Sequence, residues 1–149
     1  MKQEFSLTHK ILVVDDEQAV RSLVADFFTP LGYQVITTED GNEALELAVR
    51  EAPDVILLDV IMPGLDGTEI CKVLRANEKT ADIPVIMMTG FAGAVIDVSQ
   101  SAADDLVLKP FMLSDLLKRV RAIIRIRHVT NRLERMLAYL DELDKNHID

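Results

Sequence analysis

The chain has one cysteine, Cys71. A disulfide within the chain is therefore excluded, and the usage fits a reducing cytoplasm, the location expected here. Cys71 stands beside Ile70 and Val73 on a helical pattern and reads as an inert, half-buried thiol. Nowhere do 18 apolar residues run together, so no membrane span is expected. The opening segment, Met1 to Ser6, lacks the apolar stretch of a secretory signal. Basic residues are outnumbered, and the net charge of −9 argues against general nucleic-acid binding. Gly90 and Gly93 make no P-loop, because the Lys and Ser/Thr that complete one are missing. Ser22, Ser99, Ser101 and Tyr139 have no base or oxyanion motif beside them, and His9, His128 and His147 stand apart from the acidic clusters. What remains is 149 residues, 49% of them apolar, enough for the core of one domain and a little more.

Against that background one stretch stands out, Asp54 to Gly64. The apolar run Val55-Ile56-Leu57-Leu58 ends on Asp59, and Pro63-Gly64 follow. Such a run, bounded by breakers, reads as a strand buried on both faces. Asp59 then sits at its carboxyl end, the rim where open α/β sheets bind ligands. Ile11 to Val14 is a second such strand, ending on Asp15-Asp16-Glu17. If the two strands are parallel neighbours, Asp15, Asp16 and Asp59 converge. Three close carboxylates repel one another, and at least one pKa rises unless a cation intervenes. Mg2+ prefers oxygen ligands and keeps several waters, so a partial carboxylate set suits it. Two more strands end on Thr89-Gly90 and Lys109-Pro110. A hydroxyl and an ammonium beside metal-bound carboxylates describe a site for a tetrahedral anion such as phosphoryl.

In these residues the chain resembles the response-regulator receiver domain of two-component signalling. The match rests on Asp15-Asp16, on Asp59 within Asp-x-x-Met-Pro-x-x-Asp-Gly, on Thr89 and on Lys109-Pro110-Phe111, across roughly residues 9 to 125. The resemblance implies a flavodoxin-like fold and a phosphoryl group accepted on Asp59 from a histidine kinase or phosphotransfer protein. It implies Mg2+ held by the carboxylates of Asp16 and Asp59, by Asp15 through water and by the Ile61 backbone carbonyl. Lys109 would pair with the phosphoryl oxygens, Thr89 would move on activation, and the bond before Pro110 would be cis. The resemblance implies no conventional enzyme, only phosphorylation and dephosphorylation at Asp59. Three positions depart from the family pattern. Leu106 stands where a switching aromatic is common, and Ile61 and Phe91 stand where polar residues often flank the phosphoryl group.

Along the chain, a leader over 1–8 precedes five alternations of strand and helix. That pattern predicts an α/β doubly wound parallel sheet, order 2-1-3-4-5, with right-handed crossovers. Asp40-Gly41-Asn42 and Asp66-Gly67 open two helices; the segment 91 to 102 is weakly periodic and the least helical. From Ser114, taken as a cap, no proline or glycine follows, so a long helix is expected to run beyond the domain. In its second part Ile126, Val129, Leu133, Met136, Leu140 and Leu143 are spaced three, four, three, four, three. That a/d register predicts a coiled-coil linker over 126–149 and a parallel homodimer through 126–143; a helix folded back on its own domain is the competing outcome. Seven basic residues between Lys118 and Arg135 read as a solvated face. No output domain is visible: either the protein acts through partners, or a longer chain's linker begins near residue 126.

Two other functions compete. A haloacid-dehalogenase-type phosphatase also uses a strand-end Asp, Mg2+, Thr and Lys, but its strand-one acids are spaced Asp-x-Asp, whereas Asp15 and Asp16 are adjacent. A constitutive interaction module without phosphorylation would have no need of the intact acid, Thr and Lys set.

Overall fold

The computed structural model describes residues 8–90 and 102–148. Five strands alternate with helices: β1 Lys10–Val14, α1 Gln18–Phe28, β2 Gln34–Thr38, α2 Gly41–Glu51, β3 Val55–Asp59, α3 Gly67–Ala76, β4 Val85–Thr89, β5 Asp105–Leu108, α4 Leu113–Arg125 and α5 Arg132–Ile148. The sheet is parallel throughout, in the order β2-β1-β3-β4-β5. The weakly periodic segment after Gly90, with Phe91, Gly93, Ser99 and Ser101, lies outside the described residues.

Every residue of β3 and β4 is buried. This explains their unbroken apolar runs, because both faces of the sheet are covered. One face, with Ile11, Val13, Val55, Leu57, Ile86, Met88 and Val107, packs on Val24 and Phe28 of α1 and on Leu116, Val120, Ile123 and Ile124 of α4. The other, with Leu12, Val14, Ile56, Leu58, Val85 and Met87, packs on α2 and α3. β2 is an edge strand and correspondingly less buried.

The helix starts follow local chemistry. Asp40 accepts from the Asn42 amide at 3.0 Å, capping α2. Asp66 and Glu69 form a reciprocal capping box on α3. Gly67, the first residue of α3, packs on the chain it has just left. A Cβ there would stand 2.5 Å from the Asp59 carbonyl oxygen and 2.8 Å from the Val60 Cα, so only glycine lets α3 start this close to the Asp59 loop.

Two details differ from the sequence expectation. α4 begins at Leu113 with Met112 at its cap position, so Ser114 lies inside the first turn. The expected long helix is present but interrupted: residues 126–131 form a turn, and α5 lies back against α4. The cause is packing. Ile126 is buried in the core, Val129 packs against it, and the Arg127 guanidinium reaches Asp54 at 3.2 Å. Asn131 then accepts the Glu134 amide at 3.0 Å and starts a new helix. Leu143 also packs on the domain core. Three of the six a/d positions are thus engaged within the chain.

Candidate functional site at the carboxyl rim of the sheet

β1 and β3 are neighbours on which the strand order reverses, and their carboxyl ends carry the acids. Carboxylate oxygens of Asp15, Asp16 and Asp59 lie within 4.8 Å of one another. Asp15 is fully buried, Asp59 is 4% exposed and Asp16 faces solvent. Lys109, from the end of β5, sends its Nζ to 2.8 Å from Asp15 Oδ2 and 3.6 Å from Asp59 Oδ2. Thr89 is buried at the end of β4, and its carbonyl accepts the Lys109 amide at 2.7 Å. The Lys109–Pro110 peptide bond is cis. The Ile61 amide approaches Asp59 Oδ1 at 3.4 Å, while its side chain is 53% exposed at the mouth of the site. Leu106 lies on β5, partly buried against the α2–α3 side of the core.

The electrostatics follow from crowding. Burial and the neighbouring Asp15 charge push the Asp59 carboxyl up to about 7, although Lys109 pulls it down. Burial lowers the Lys109 pKa, but its bonds to Asp15 and Glu17 outweigh that, and the ammonium ends above its ordinary value. Asp15 Oδ1 accepts the Glu17 amide at 2.9 Å. Its Oδ2 is buried and takes no hydrogen bond of good geometry; the Lys109 ammonium lies 2.8 Å from it, and the Asp16 and Asp59 carboxylates crowd the same site. An anionic oxygen left this way, in a cluster made wholly of oxygen donors, fits a hard divalent cation such as Mg2+.

Two contributors were not expected from the sequence. Glu17 places Oε1 3.0 Å from Lys109 Nζ, and Arg21 donates to the Asp15 carbonyl at 2.8 Å. Glu17 belongs to the visible acidic run; Arg21 carries no sequence signal beyond its place one turn into α1. Beside the rim an open groove of about 350 Å³ is lined by Val20, Leu23, Gly90, Lys109, Pro110 and Phe111 together with Glu17.

Comparison with known proteins agrees with this architecture. The response regulator receiver domain family matches residues 11–121, and the chain belongs to that family. It is 43% identical over 119 residues to the DNA-binding dual master transcriptional regulator RpaA of Synechocystis sp., covering 78% of this chain and 49% of that protein. It is 42% identical over 118 residues to the response regulator MprA of Mycobacterium leprae, covering 78% and 51%. The chain thus spans about half the length of the curated relatives it matches. Among solved structures it resembles the chemotaxis protein CheY4 of Vibrio cholerae, with TM-score 0.72 and 32% identity over 77% of this chain and 98% of that one. It also resembles the receiver domain of the Pseudomonas aeruginosa sensor histidine kinase PA1611, which has a magnesium ion in its active-site cleft; the TM-score is 0.73, with 29% identity over 80% and 99%. The expectation of no nucleic-acid partner, drawn from net charge, finds no support among these relatives, since RpaA is named as DNA-binding. Among the described residues no helix is long and apolar enough to cross a membrane.

Proposed function

We propose that this chain is a cytoplasmic signalling receiver, over residues 9–125, that accepts a phosphoryl group on Asp59 from the phosphohistidine of a kinase or phosphotransfer protein. The observation that carries the reading is Asp59 itself, buried at a strand end within 4.8 Å of two further acids and 3.6 Å from Lys109. An Asp59 oxygen attacks phosphorus, the phosphorus–nitrogen bond of the donor breaks, and the imidazole leaves. Asp59 must be ionised to attack, and Lys109 favours that form. Asp16 and Asp59 would hold Mg2+ by their carboxylates, Asp15 through water and Ile61 by its backbone carbonyl. When bound, Mg2+ supplies positive charge that offsets both the crowded acids and the incoming phosphoryl oxygens. Lys109 then pairs with the phosphoryl oxygens, and Thr89 turns to donate its hydroxyl to them. Leu106 adjoins β4, and its packing would follow Thr89 without the swing of an aromatic ring. The groove beside Lys109 offers the donor an apolar landing surface. The turn over 126–131 and α5 serve as the extension through which the state of the rim reaches a partner or a further domain.

Incubation with acetyl phosphate and Mg2+, followed by intact-mass measurement, tests this. One phosphoryl group should add to the wild type and none to Asp59→Asn or to the chelator-treated protein. A persisting adduct in Asp59→Asn places the acceptor elsewhere.

The lifetime of the acyl phosphate gives a second expected result. Hydrolysis needs an in-line water, held by a hydrogen-bond acceptor. Ile61 stands half-exposed at the mouth and offers none. Slow self-dephosphorylation is expected, with faster decay in Ile61→Asn and in the Ile61→Asn, Phe91→Glu double variant. A tenfold change needs only about 1.4 kcal/mol of barrier. The readout is decay of phosphorylated protein after the donor is removed; equal rates would mean that these side chains do not gate the water.

A further inference from the structure

α5 lies beyond residues 11–121, the region that matches the receiver family. Its two faces differ. Arg135 and Tyr139 are buried, and Ala138 and Leu143 pack on the domain. The opposite face carries Leu133, Met136, Leu137 and Leu140, exposed to 65%, 47%, 58% and 55%. At 100° per residue these four form one apolar stripe, and no described element covers it. Asp144, one turn after Leu140 and exposed, continues the same line.

We infer that this stripe is a self-association surface on which a second copy of the chain packs its own α5 in antiparallel orientation. The stripe argues for a second copy because it reads the same from either end: its spacings are three, one and three. A two-fold axis between residues 136 and 137 sets Leu133 against Leu140 of the second copy. Met136 then meets Leu137 of the second copy, and Leu137 meets its Met136, on either side of the dyad, giving an isologous contact. Charge fixes the direction. In a parallel pair Asp144 would face Asp144 at the C-terminal end of the stripe. In the antiparallel pair each Asp144 falls opposite residue 129 of the second copy, just ahead of the positive N-terminus of the other helix, whose first residue is Arg132. The parallel seam through 126–143 is also depleted, since Ile126, Val129 and Leu143 already pack within the chain. A single helix pair is smaller than a standard interface, so the dimer dissociates readily on dilution.

Sedimentation velocity of the full 149-residue chain across a concentration series tests the contact. A dimer that grows with concentration is expected. Leu137→Glu with Leu140→Glu should leave a monomer at every concentration. Both residues point to solvent, so an unchanged circular dichroism spectrum is expected alongside. Asp144→Arg, a single surface change, should weaken dimerisation about tenfold or more at low salt. Orientation is read by cysteine cross-linking. A mixture of Leu133→Cys and Leu140→Cys chains should cross-link heterologously, and Leu133→Cys alone should not. A wild type that stays monomeric, a double-glutamate variant that still dimerises, or a Leu133→Cys chain that cross-links to itself would each overturn the inference.

Discussion

Asp104→Ala is expected to be the most damaging single substitution outside the acidic rim, costing about 3–5 kcal/mol, the usual penalty for stripping the partner from a buried charge. Asp104 precedes β5, and its carboxylate gathers three elements. It accepts from Arg135 Nε and Nη2 of α5, both at 2.9 Å. It accepts from Arg75 Nη2 of α3 at 3.1 Å and from the Val85 amide of β4 at 2.9 Å. The Arg75 and Arg135 side chains are only 14% and 5% exposed. Burial lowers the Arg75 pKa, and Asp104 opposes that shift. Removing Asp104 leaves two enclosed guanidinium groups without a counter-charge. Both keep backbone carbonyls, Arg75 those of Ala81, Ile83 and Ala102, and Arg135 that of Asp82. Those bonds hold the side chains in place and so prevent escape to water. For a domain of this size the loss lowers the melting temperature by about 6–20 °C. Asp104→Asn keeps the shape and part of the bonding and should lose less. Arg135→Met should instead free α5 alone, seen as faster amide exchange over 132–148 with the strand amides still protected. If Asp104→Ala melts within a degree of the wild type, the cluster contributes nothing net and α5 is held by Tyr139, Leu143 and the core.

How much of this was legible in the sequence depended on the kind of signal. The sheet announced itself because four of its five strands are short apolar runs that stop on a chemically distinctive residue: Asp15, Asp59, Thr89 or Lys109. The convergence of these ends needed only the strand order, which the alternating pattern supplies. The helix caps at Asp40 and Asp66 were legible from side-chain chemistry alone. The segment after Arg125 was not. The a/d spacing from Ile126 to Leu143 is real, but it spans two environments, the receiver core and open solvent. A periodicity count cannot tell which side of a stripe already has a partner. The break was marked all the same: Asn131 with Glu134 three residues later is a helix-start pattern. The absence of glycine and proline does not keep the helix continuous, because buried Ile126 and the Arg127–Asp54 pair bend the chain without either residue. The ionic cluster around Asp104 was invisible for another reason. Its members are separated by 29 and 31 residues along the chain, and nothing in the local sequence of Arg75 or Arg135 distinguishes them from solvated arginines.

In magnesium-free buffer, Asp59→Asn is expected to raise the melting temperature at pH 8 by several degrees. The folded site holds the Asp59 proton up to about pH 7, pushed there by burial and by Asp15, whereas the ordinary value is 3.8. Between those two values the folded chain binds more protons than the unfolded one. Stability therefore falls as pH rises through that window, and above it Asp59 sits charged beside Asp15 at full cost. Asparagine keeps the size and one acceptor oxygen and carries no charge, so it escapes that cost. The gap between variant and wild type should be small near pH 4, widen through pH 7 and then level off. Lys109 limits it, because its ammonium at 3.6 Å favours the charged carboxylate and loses a partner in the variant. Saturating Mg2+ should close or reverse the gap at pH 8, since a bound cation stabilises only the chain that retains its ligands. Melting curves of both proteins from pH 4.5 to 8.5, with chelator and then with Mg2+, separate these effects. A pH-independent gap would mean that Asp59 does not titrate in this window. A gap that ignores Mg2+ would mean that the three acids do not form the cation site.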